Sequence, residues 1–417
     1  MTSTWNAPRT AIVLGSGCSV GLGIPAMASF MDAAFPKLEG ADLKALKDFV
    51  RDVKGSAVYV GSDLLDIEEV YGLADMREDL SPRDQSDDSS KIVKRALNRA
   101  IFDVAIEAGV EFLGADQRLP EPGTLAMIRR ESRTERPVHR NYGTHYSNLL
   151  AYACLADYVD RVDSSKSAHR NHESSSVHPL FVQFNWDLAL DRALYWLNAS
   201  RSKADKNKGQ VVGKNPLPWY GFHGTHDYRA GPLVARPHGA VNWIDSNDMK
   251  DCERDQTLRD DMIYPITAHS EIYIDRAPVI ECDLTTRESV ARDWMAIVPP
   301  TWRKQAHRPE FVAQWTTIQD ALADLRRIVF IGYSLPRSDL YFRNFLALAL
   351  ARNDLSPRVY VWNRDLGLGS VARRNYLDLF APLARQGRLF ALEGSFGDPA
   401  FFDLDQALRM AKPLKGE

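Results

Sequence analysis

The chain has 417 residues, 45% of them hydrophobic and 26% charged, which is the composition of a globular protein with one large core or two domains. Its formal net charge of -3 excludes a polycation that binds nucleic acid over its whole length, and we expect no direct nucleic-acid binding. We also expect a cytoplasmic location without membrane contact, because neither a signal peptide nor a run of about 18 apolar residues is visible.

The first predicted element is a buried strand at Ala11–Leu14, which ends in the glycine-rich turn Gly15–Gly21. Pro25 predicts the start of the helix that follows. A strand, a glycine-rich turn and a helix open a nucleotide-binding α/β unit, in which backbone N–H groups of the turn face a pyrophosphate. The spacing G-x-G-x-x-x-G differs from the dinucleotide fingerprint, so a plain strand-to-helix turn is the alternative interpretation.

Amphipathic helical spacing replaces this pattern from about residue 41 to residue 159. Leu43, Leu46 and Phe49 mark one apolar face of this region, and polar residues 81–90 interrupt it. Glu68 and Glu69 fit solvated or helix-capping positions better than catalytic ones. We therefore predict a mostly helical insertion at 41–177 and an α/β core formed by 1–40 and 178–417.

Strand-like runs return at Leu180–Phe184, Arg327–Ile331 and Val359–Trp362, and each ends in a polar or glycine-rich segment. In open α/β sheets, ligands bind outside the carboxyl ends of the strands, so these segments are expected to converge on one cleft. The pattern predicts a Rossmann-like, doubly wound and mainly parallel sheet with a large helical insertion.

The four cysteines lie far apart in the sequence. They are Cys18, Cys154, Cys252 and Cys282. None belongs to a C-x-x-C pair, whereas a structural zinc site of four cysteines normally has two such pairs. We therefore predict no metal.

Five segments resemble the signature segments of the sirtuins (silent-information-regulator type), in the family's order. Residues 15–25 resemble G-A-G-x-S-x-x-x-G-I-P, residues 184–187 resemble T-Q-N-I-D, residues 237–243 resemble K-L-H-G-S-x-x-W, residues 332–336 resemble G-T-S-L-x-V-x-P, and residues 362–363 resemble the I-N strand end. The resemblance implies a domain that binds NAD.

The departures from the family pattern also carry information. Lysine deacylases of the family have a zinc module of paired cysteines that this chain lacks, and Phe184 and Pro237 replace the usual Thr and Leu. Residues 67–71 and 297–304 resemble the sirtuin-like domains of bacterial antiphage defence proteins, many of which hydrolyse NAD. The resemblance therefore implies a regulated, NAD-depleting hydrolase that forms a homo-oligomer and has a separate sensor protein, of the ATPase or Argonaute type.

The resemblance also implies the site residues. Asn185 would contact the ribose or the attacking water, Asp187 the nicotinamide carboxamide, and His238 would act as general base, since an imidazole suits proton transfer near neutral pH. The residues expected to bind NAD are Gly15, Ser16, Gly17, Ser19, Gly332, Ser334 and Asn363, with Ser334 and Asn363 on the adenosine-side ribose.

Each of these residues has a plainer interpretation. Asn185 and Asp187 are favoured N-cap residues for the helix predicted from Leu188. His223 and His226 compete with His238 for the same role. Ser334 and Asn363 fit strand-end capping and turn formation. At the level of function, the alternatives are a non-catalytic module that senses NAD or ADP-ribose, and protein deacylation or ADP-ribosylation.

Overall fold

A computed structural model describes residues 9–55, 67–80, 88–108, 144–164, 178–194, 232–245, 263–267, 280–281, 295–297, 309–337 and 339–415. The strands are β1 (Thr10–Leu14), β2 (Leu180–Gln183), β3 (Leu233–Ala235), β4 (Gly239–Asp245), β5 (Ile263–Thr267), β6 (Ile280–Glu281), β7 (Met295–Ile297), β8 (Arg327–Ile331), β9 (Arg358–Asn363), β10 (Leu389–Glu393) and β11 (Lys412–Pro413). The α-helices are α1 (Met27–Ala34), α2 (Gly40–Lys54), α3 (Ile67–Leu80), α4 (Asp88–Ala108), α5 (Thr144–Ser164), α6 (Pro309–Ala323), α7 (Leu340–Ala351), α8 (Val371–Leu379), α9 (Ala381–Arg385) and α10 (Leu404–Met410). Residues 189–194 are also helical.

The larger sheet has seven strands in the order β11-β10-β9-β8-β1-β2-β3. All its pairings are parallel except that of β11 with β10. Strand β1 lies between β2 and β8, and the chain continues from β1 to β2 and β3 on one side before it returns to β8 on the other. The reversal beside β1 is a topological switch point, which is where α/β sheets of this kind bind ligands.

Helices cover both faces of this sheet. Successive residues of each strand point to opposite faces, so alternate residues pack against different sets of helices. Ala11 and Val13 of β1 belong to a core cluster that includes residues of α6, α7 and α8. Ile12 and Leu14 belong to the other cluster, which includes residues of α1 to α5 and α10. Strands buried on both faces read as continuous apolar runs, which is why the sequence revealed them. The predicted doubly wound, mainly parallel fold is confirmed.

The elements described between β1 and β2 are helical, as predicted. Their apolar side chains, such as Leu46 of α2, Leu97 of α4 and Leu150 of α5, join the cluster on one face of the large sheet. Within the described part of the chain, no helix is long and apolar enough to cross a bilayer. The boundaries of the predicted insertion stay a prediction.

The helix predicted after the glycine-rich turn is present, but it starts two residues after Pro25. Two short 3-10 helices, Ser16–Cys18 and Val20–Leu22, follow β1, and α1 begins only at Met27 with Ala26 as its N-cap. Gly23 adopts a φ of 100°, which a residue with a side chain rarely does, and this turns the chain before Pro25. The turn after β1 is therefore longer than the sequence indicated.

A second sheet, with the strand order β6-β5-β4-β7, was not predicted. Strand β4 pairs antiparallel with β5 and with β7. Its first residue, Gly239, has a φ of 83° and directly follows His238. The turn between β3 and β4 thus carries His238 from the larger sheet to the smaller one.

Candidate functional site

A cavity of about 290 Å³ lies at the carboxyl ends of β1, β2, β3 and β8, at the switch point of the sheet. Its polar lining residues are Ser16, Ser19, Glu68, Asn185, Asp187, His238, Ser334 and Asp339. One wall is apolar and comes from the helical region, where Ile101, Val104 and Ala105 of α4 line the cavity. The predicted convergence therefore occurs for the segments after β1, β2 and β8, whereas no residue of the segment after β9 is among the described lining residues.

The predicted site residues fall into three groups. Those that line the cavity are Ser16, Ser19, Asn185, Asp187, His238 and Ser334. Gly15, Gly17 and Gly332 form the contact between the loops after β1 and β8. Asn363 is not among the lining residues described: its Nδ2 donates to the Tyr333 carbonyl at 3.2 Å and its Oδ1 accepts from the Asp365 N–H at 3.0 Å. The capping interpretation accounts for Asn363.

Glycines are required where these two loops meet. The Gly15 N–H donates to the Ile331 carbonyl at 3.0 Å, and the Gly17 N–H donates to the Gly332 carbonyl at 2.9 Å. A Cβ atom on Gly15 would lie 2.6 Å from the Tyr333 Cα, closer than Cβ atoms approach in proteins. The loops therefore need side-chain-free residues irrespective of any ligand.

We expect Gly15→Ala to lower the free energy of unfolding by about 1–3 kcal/mol, because the new methyl group must displace backbone. The control is Gly367→Ala, since nothing lies within 4 Å of a Cβ there, and we expect it to be neutral or slightly stabilising. Urea unfolding of both variants is the measurement. Equal midpoints for the two would contradict the close approach.

Four backbone N–H groups of the glycine-rich turn already donate hydrogen bonds within the chain. The N–H groups of Gly15 and Gly17 are bonded to the β8 loop, and those of Cys18 and Ser19 donate to the carbonyls of Gly15 and Ser16. These four N–H groups are therefore not among those of the turn that could face a pyrophosphate. The turn contributes side chains, those of Ser16 and Ser19, to the cavity instead.

Ser19 is the centre of the polar network. Its Oγ donates to Asp187 Oδ2 at 2.5 Å, accepts from Asn185 Nδ2 at 2.7 Å, and lies 3.4 Å from the Tyr152 hydroxyl of α5. A serine hydroxyl has one proton and two lone pairs. The proton is directed to Asp187, so Tyr152 donates, and the hydrogen-bonding capacity of Ser19 is complete. Ser19 thus fixes the two polar residues that follow β2.

The orientation of the Asn185 amide follows from this network. Its Nδ2 donates to the Gly15 carbonyl at 2.9 Å as well as to Ser19. A carbonyl can only accept, so the NH2 end of the amide must face Gly15. Asn185 is 9% exposed and lines the cavity, and within the described residues its Oδ1 has no hydrogen-bond donor. This oxygen is therefore an acceptor available to a ligand.

Asp187 has two roles. Its Oδ1 accepts from the Ala189 N–H at 2.9 Å and caps the helical residues 189–194, as the plainer interpretation expected. The same side chain also lines the cavity. Burial raises the pKa of Asp187 above its ordinary value of 3.8, while the hydrogen bonds from Ser19 and Ala189 and the charge of Arg236 act in the opposite direction.

His238 lies against an aromatic wall. The residue is 3% exposed, and its imidazole meets the Phe184 ring edge-on, with the ring centroids 4.9 Å apart. Phe184 also stacks on Tyr333 at 4.9 Å. The phenylalanine that replaces the threonine of the sirtuin segment therefore fills the space between His238 and the loop after β8. The competing residues His223 and His226 lie outside the described residues.

Tyr333, Asp339 and Glu68 also line the cavity, although the sequence analysis did not propose them for the site. The Tyr333 hydroxyl donates to Asp339 Oδ2 at 2.6 Å, and Asp339 Oδ1 accepts from the Phe342 N–H at 3.2 Å as the N-cap of α7. Burial, with the charge of Asp339, raises the pKa of Tyr333 well above its ordinary value, so Tyr333 stays a donor. Asp339 is therefore both the N-cap of α7 and part of the cavity lining.

No family model and no curated protein matches this chain. The resemblance to sirtuins, and with it the roles that it implies, therefore stays a prediction. Within the described ranges, no group of three or more His, Cys, Asp or Glu side chains could hold a metal ion. Cys252 and Cys282 lie outside those ranges.

Proposed function

We propose that the chain hydrolyses NAD to nicotinamide and ADP-ribose in this cavity. The observation that carries the proposal is the meeting, at the switch point of a doubly wound sheet, of three side chains from two loops, the one after β2 and the one after β3. These are an amide with an available acceptor oxygen (Asn185), a buried carboxylate (Asp187) and an imidazole (His238). The sirtuin-like order of the segments that contain them supports NAD as the substrate.

Hydrolysis breaks the bond between the ribose C1′ and the nicotinamide nitrogen. The bonding electrons pass to the pyridinium ring, which leaves as neutral nicotinamide, and the oxygen of water bonds to C1′. His238 accepts the proton of that water and returns it to solvent, a step typically worth about 10²–10⁴-fold in rate. Asp187 accepts a hydrogen bond from the carboxamide of the leaving group, and Asn185 Oδ1 positions the water or a ribose hydroxyl.

The apolar part of the cavity suits the nicotinamide ring. Ile101, Val104 and Ala105 of α4 present aliphatic surface, and Phe30 and Trp186 present aromatic surface. Ligand pockets are commonly lined in this way, with a few polar groups that fix orientation. A planar ring against this wall would direct its carboxamide to the polar side, where Asp187 lies.

A non-catalytic sensor of NAD or ADP-ribose is the second candidate. The completeness of the Ser19 network favours it, since both Asp187 oxygens already accept hydrogen bonds within the chain. A pre-formed, internally satisfied site is also what a binding module needs. The family resemblance also supports a wider role for the chain. In this role it is a regulated effector in antiphage defence that acts as a homo-oligomer with a separate ATPase or Argonaute-type sensor.

Incubation of the purified chain with NAD tests the two candidates, with nicotinamide and ADP-ribose followed by chromatography. Turnover that is lost in Asn185→Ala and His238→Ala, both still folded, supports the hydrolase. Tight NAD binding in calorimetry without turnover supports the sensor, or an enzyme that needs its partner. If the isolated chain neither turns over nor binds NAD, that result contradicts both candidate functions for the isolated chain.

The raised pKa of Asp187 predicts opposite pH dependences for activity and stability. Because the carboxylate form binds the carboxamide, NAD turnover is expected to fall as pH drops through a value above 3.8. The folded state favours the protonated form, so the stability that Asp187 contributes is present at low pH and is lost as pH rises through the raised pKa. The pH profile of kcat/KM measures the first effect, and the difference in unfolding free energy between parent and Asp187→Asn measures the second. An acidic limb at or below 3.8 would contradict the raised pKa.

A further inference from the structure

Arg236 is a fully buried charged residue beside the cavity. Its side chain and that of Asp191 are both 0% exposed and form an ion pair. Its Nη1 also donates to the Asn185 carbonyl at 3.0 Å. Burying two charges costs free energy that their attraction often fails to recover, so such a pair is weak evidence of a gain in stability. A specific structural task is the better explanation for this pair.

The contacts of Arg236 join the two loops that carry the proposed catalytic side chains. Asn185 belongs to the loop after β2, and Asp191 lies in the helical residues 189–194 that Asp187 caps. Arg236 itself belongs to the turn before β4, whose form is set by the bond from the Gly239 N–H to the Arg236 carbonyl at 3.0 Å. His238 lies inside that turn.

The backbone of Arg236 is fixed as well. Its N–H donates to Oε1 of Gln314, a fully buried residue of α6. A second bond between the loops runs from the Val241 N–H to the Trp186 carbonyl at 2.9 Å. Arg236 is thus anchored at its backbone by α6 and at its guanidinium by the segment after β2.

We propose that Arg236 is a positioning residue that holds the turn of His238 at a fixed distance from Asn185 and Asp187. Arg236 is not among the described lining residues of the cavity, and its guanidinium contacts the backbone carbonyl of Asn185, so it acts on the reaction through other residues. The donors of a guanidinium are fixed in a planar fork, so Nη1 is directed to the Asn185 carbonyl while Nη2 is directed to the Asp191 carboxylate. The catalytic meaning of this role rests on the proposed NAD hydrolysis, whereas the structural linkage does not.

Two variants test the proposal. Arg236→Met combined with Asp191→Leu removes both charges and keeps similar volumes, which avoids an unpaired buried charge. Arg236→Lys keeps the charge but loses the fork. The matched control is Arg99→Met combined with Asp42→Leu, because this Arg–Asp pair, with Nη1 and Oδ2 2.6 Å apart, links α4 to α2 and lies outside the cavity lining.

Hydrogen exchange measured by mass spectrometry is the first readout, and it needs no enzymatic activity. In the double variant we expect peptides covering 184–194 and 237–245 to lose protection, while 327–331 of β8 and 371–379 of α8 keep theirs. The control pair should leave 184–194 as in the parent. The kinetic readout is a fall in kcat for NAD of about 100-fold with little change in KM, and a smaller fall for Arg236→Lys.

Unchanged protection of 184–194 in the double variant overturns the proposal, whether or not the chain turns over NAD. A loss of protection across the whole molecule, with Arg236→Lys behaving as the parent, also overturns it, because the pair would then be an ordinary stabilising contact. If the parent does not turn over NAD, the proposed function fails, and the exchange data alone decide whether Arg236 links the loops.

Discussion

Asn185→Ala is expected to lower kcat/KM for NAD by about 10²–10³-fold, since it removes a positioned polar contact at the reacting centre. The available oxygen, Oδ1, belongs to an amide whose other end is fixed by Gly15 and Ser19. A group held in advance in this way needs no reorganisation when substrate binds. Steady-state kinetics with NAD, with nicotinamide release as the signal, are the measurement.

Loss of stability is the competing explanation for such a result, and the chain offers a matched control. Asn353 is 8% exposed, against 9% for Asn185, and its Nδ2 also donates to two acceptors, the carbonyls of Leu322 and Leu325 at 2.7 and 2.9 Å. It lies outside the described cavity lining. Truncation of either asparagine leaves buried acceptors unsatisfied, at a cost of about 1–3 kcal/mol.

In one outcome, the two variants are destabilised to a similar extent while Asn353→Ala retains turnover and Asn185→Ala loses it. That result would assign the loss of turnover to the site. Equal loss of turnover in both variants would attribute it to the fold. Full turnover in Asn185→Ala would contradict the proposed role, and the network around Ser19 would then serve only to cap and brace the loop after β2.

The sheet could be predicted from the sequence because its central strands are buried on both faces. The run Arg327–Ile331 matches β8, and the predicted strands at 11–14 and 180–184 agree with β1 and β2 to within one residue at each end. Continuous apolar runs bounded by glycine or polar residues are the signal for such strands. The carboxyl ends of parallel strands share one edge, so the meeting of the loops followed from the fold.

The smaller sheet and the apolar wall of the cavity could not be predicted in the same way. Strand β4 starts within residues 237–243, for which the sequence showed a sirtuin-like segment and no strand, and its pairing with β7 is set by distant residues. Ile101 and Val104 lie in the region for which helical spacing was predicted, but sequence periodicity does not tell which cavity a helix face lines. The partner of a helix face is decided by tertiary packing alone.

Arg236 shows the same limit for a charged residue. An arginine that follows the apolar run Leu233–Ala235 and precedes Pro237 is typical of an exposed strand end, and arginine is almost never fully buried unless it is paired. Its partner Asp191 is 45 positions away in the sequence. Only the fold brings the two together, and a single sequence contains no signal of that pairing.

His238→Ala is expected to lower kcat for NAD by about 10²–10⁴-fold, the usual range for a positioned general base. The imidazole lines the cavity and is held in the turn between β3 and β4, while the Phe184 ring packs against it. Removal of the imidazole leaves the attacking water without a proton acceptor in the described lining that is as suited to neutral pH. The effect should appear in kcat more than in KM, since proton transfer belongs to the chemical step.

His178→Ala controls for the loss of a buried imidazole. His178 is 7% exposed and precedes β2, so it lies at the opposite edge of the sheet from the cavity, which follows the carboxyl end of that strand. Added imidazole provides a second discrimination, because the space left in His238→Ala can admit it as an external base. Partial recovery of turnover by imidazole in this variant alone would establish proton acceptance as the function of His238. Full turnover without imidazole would instead transfer the role to His223 or His226, the rivals that the sequence left open.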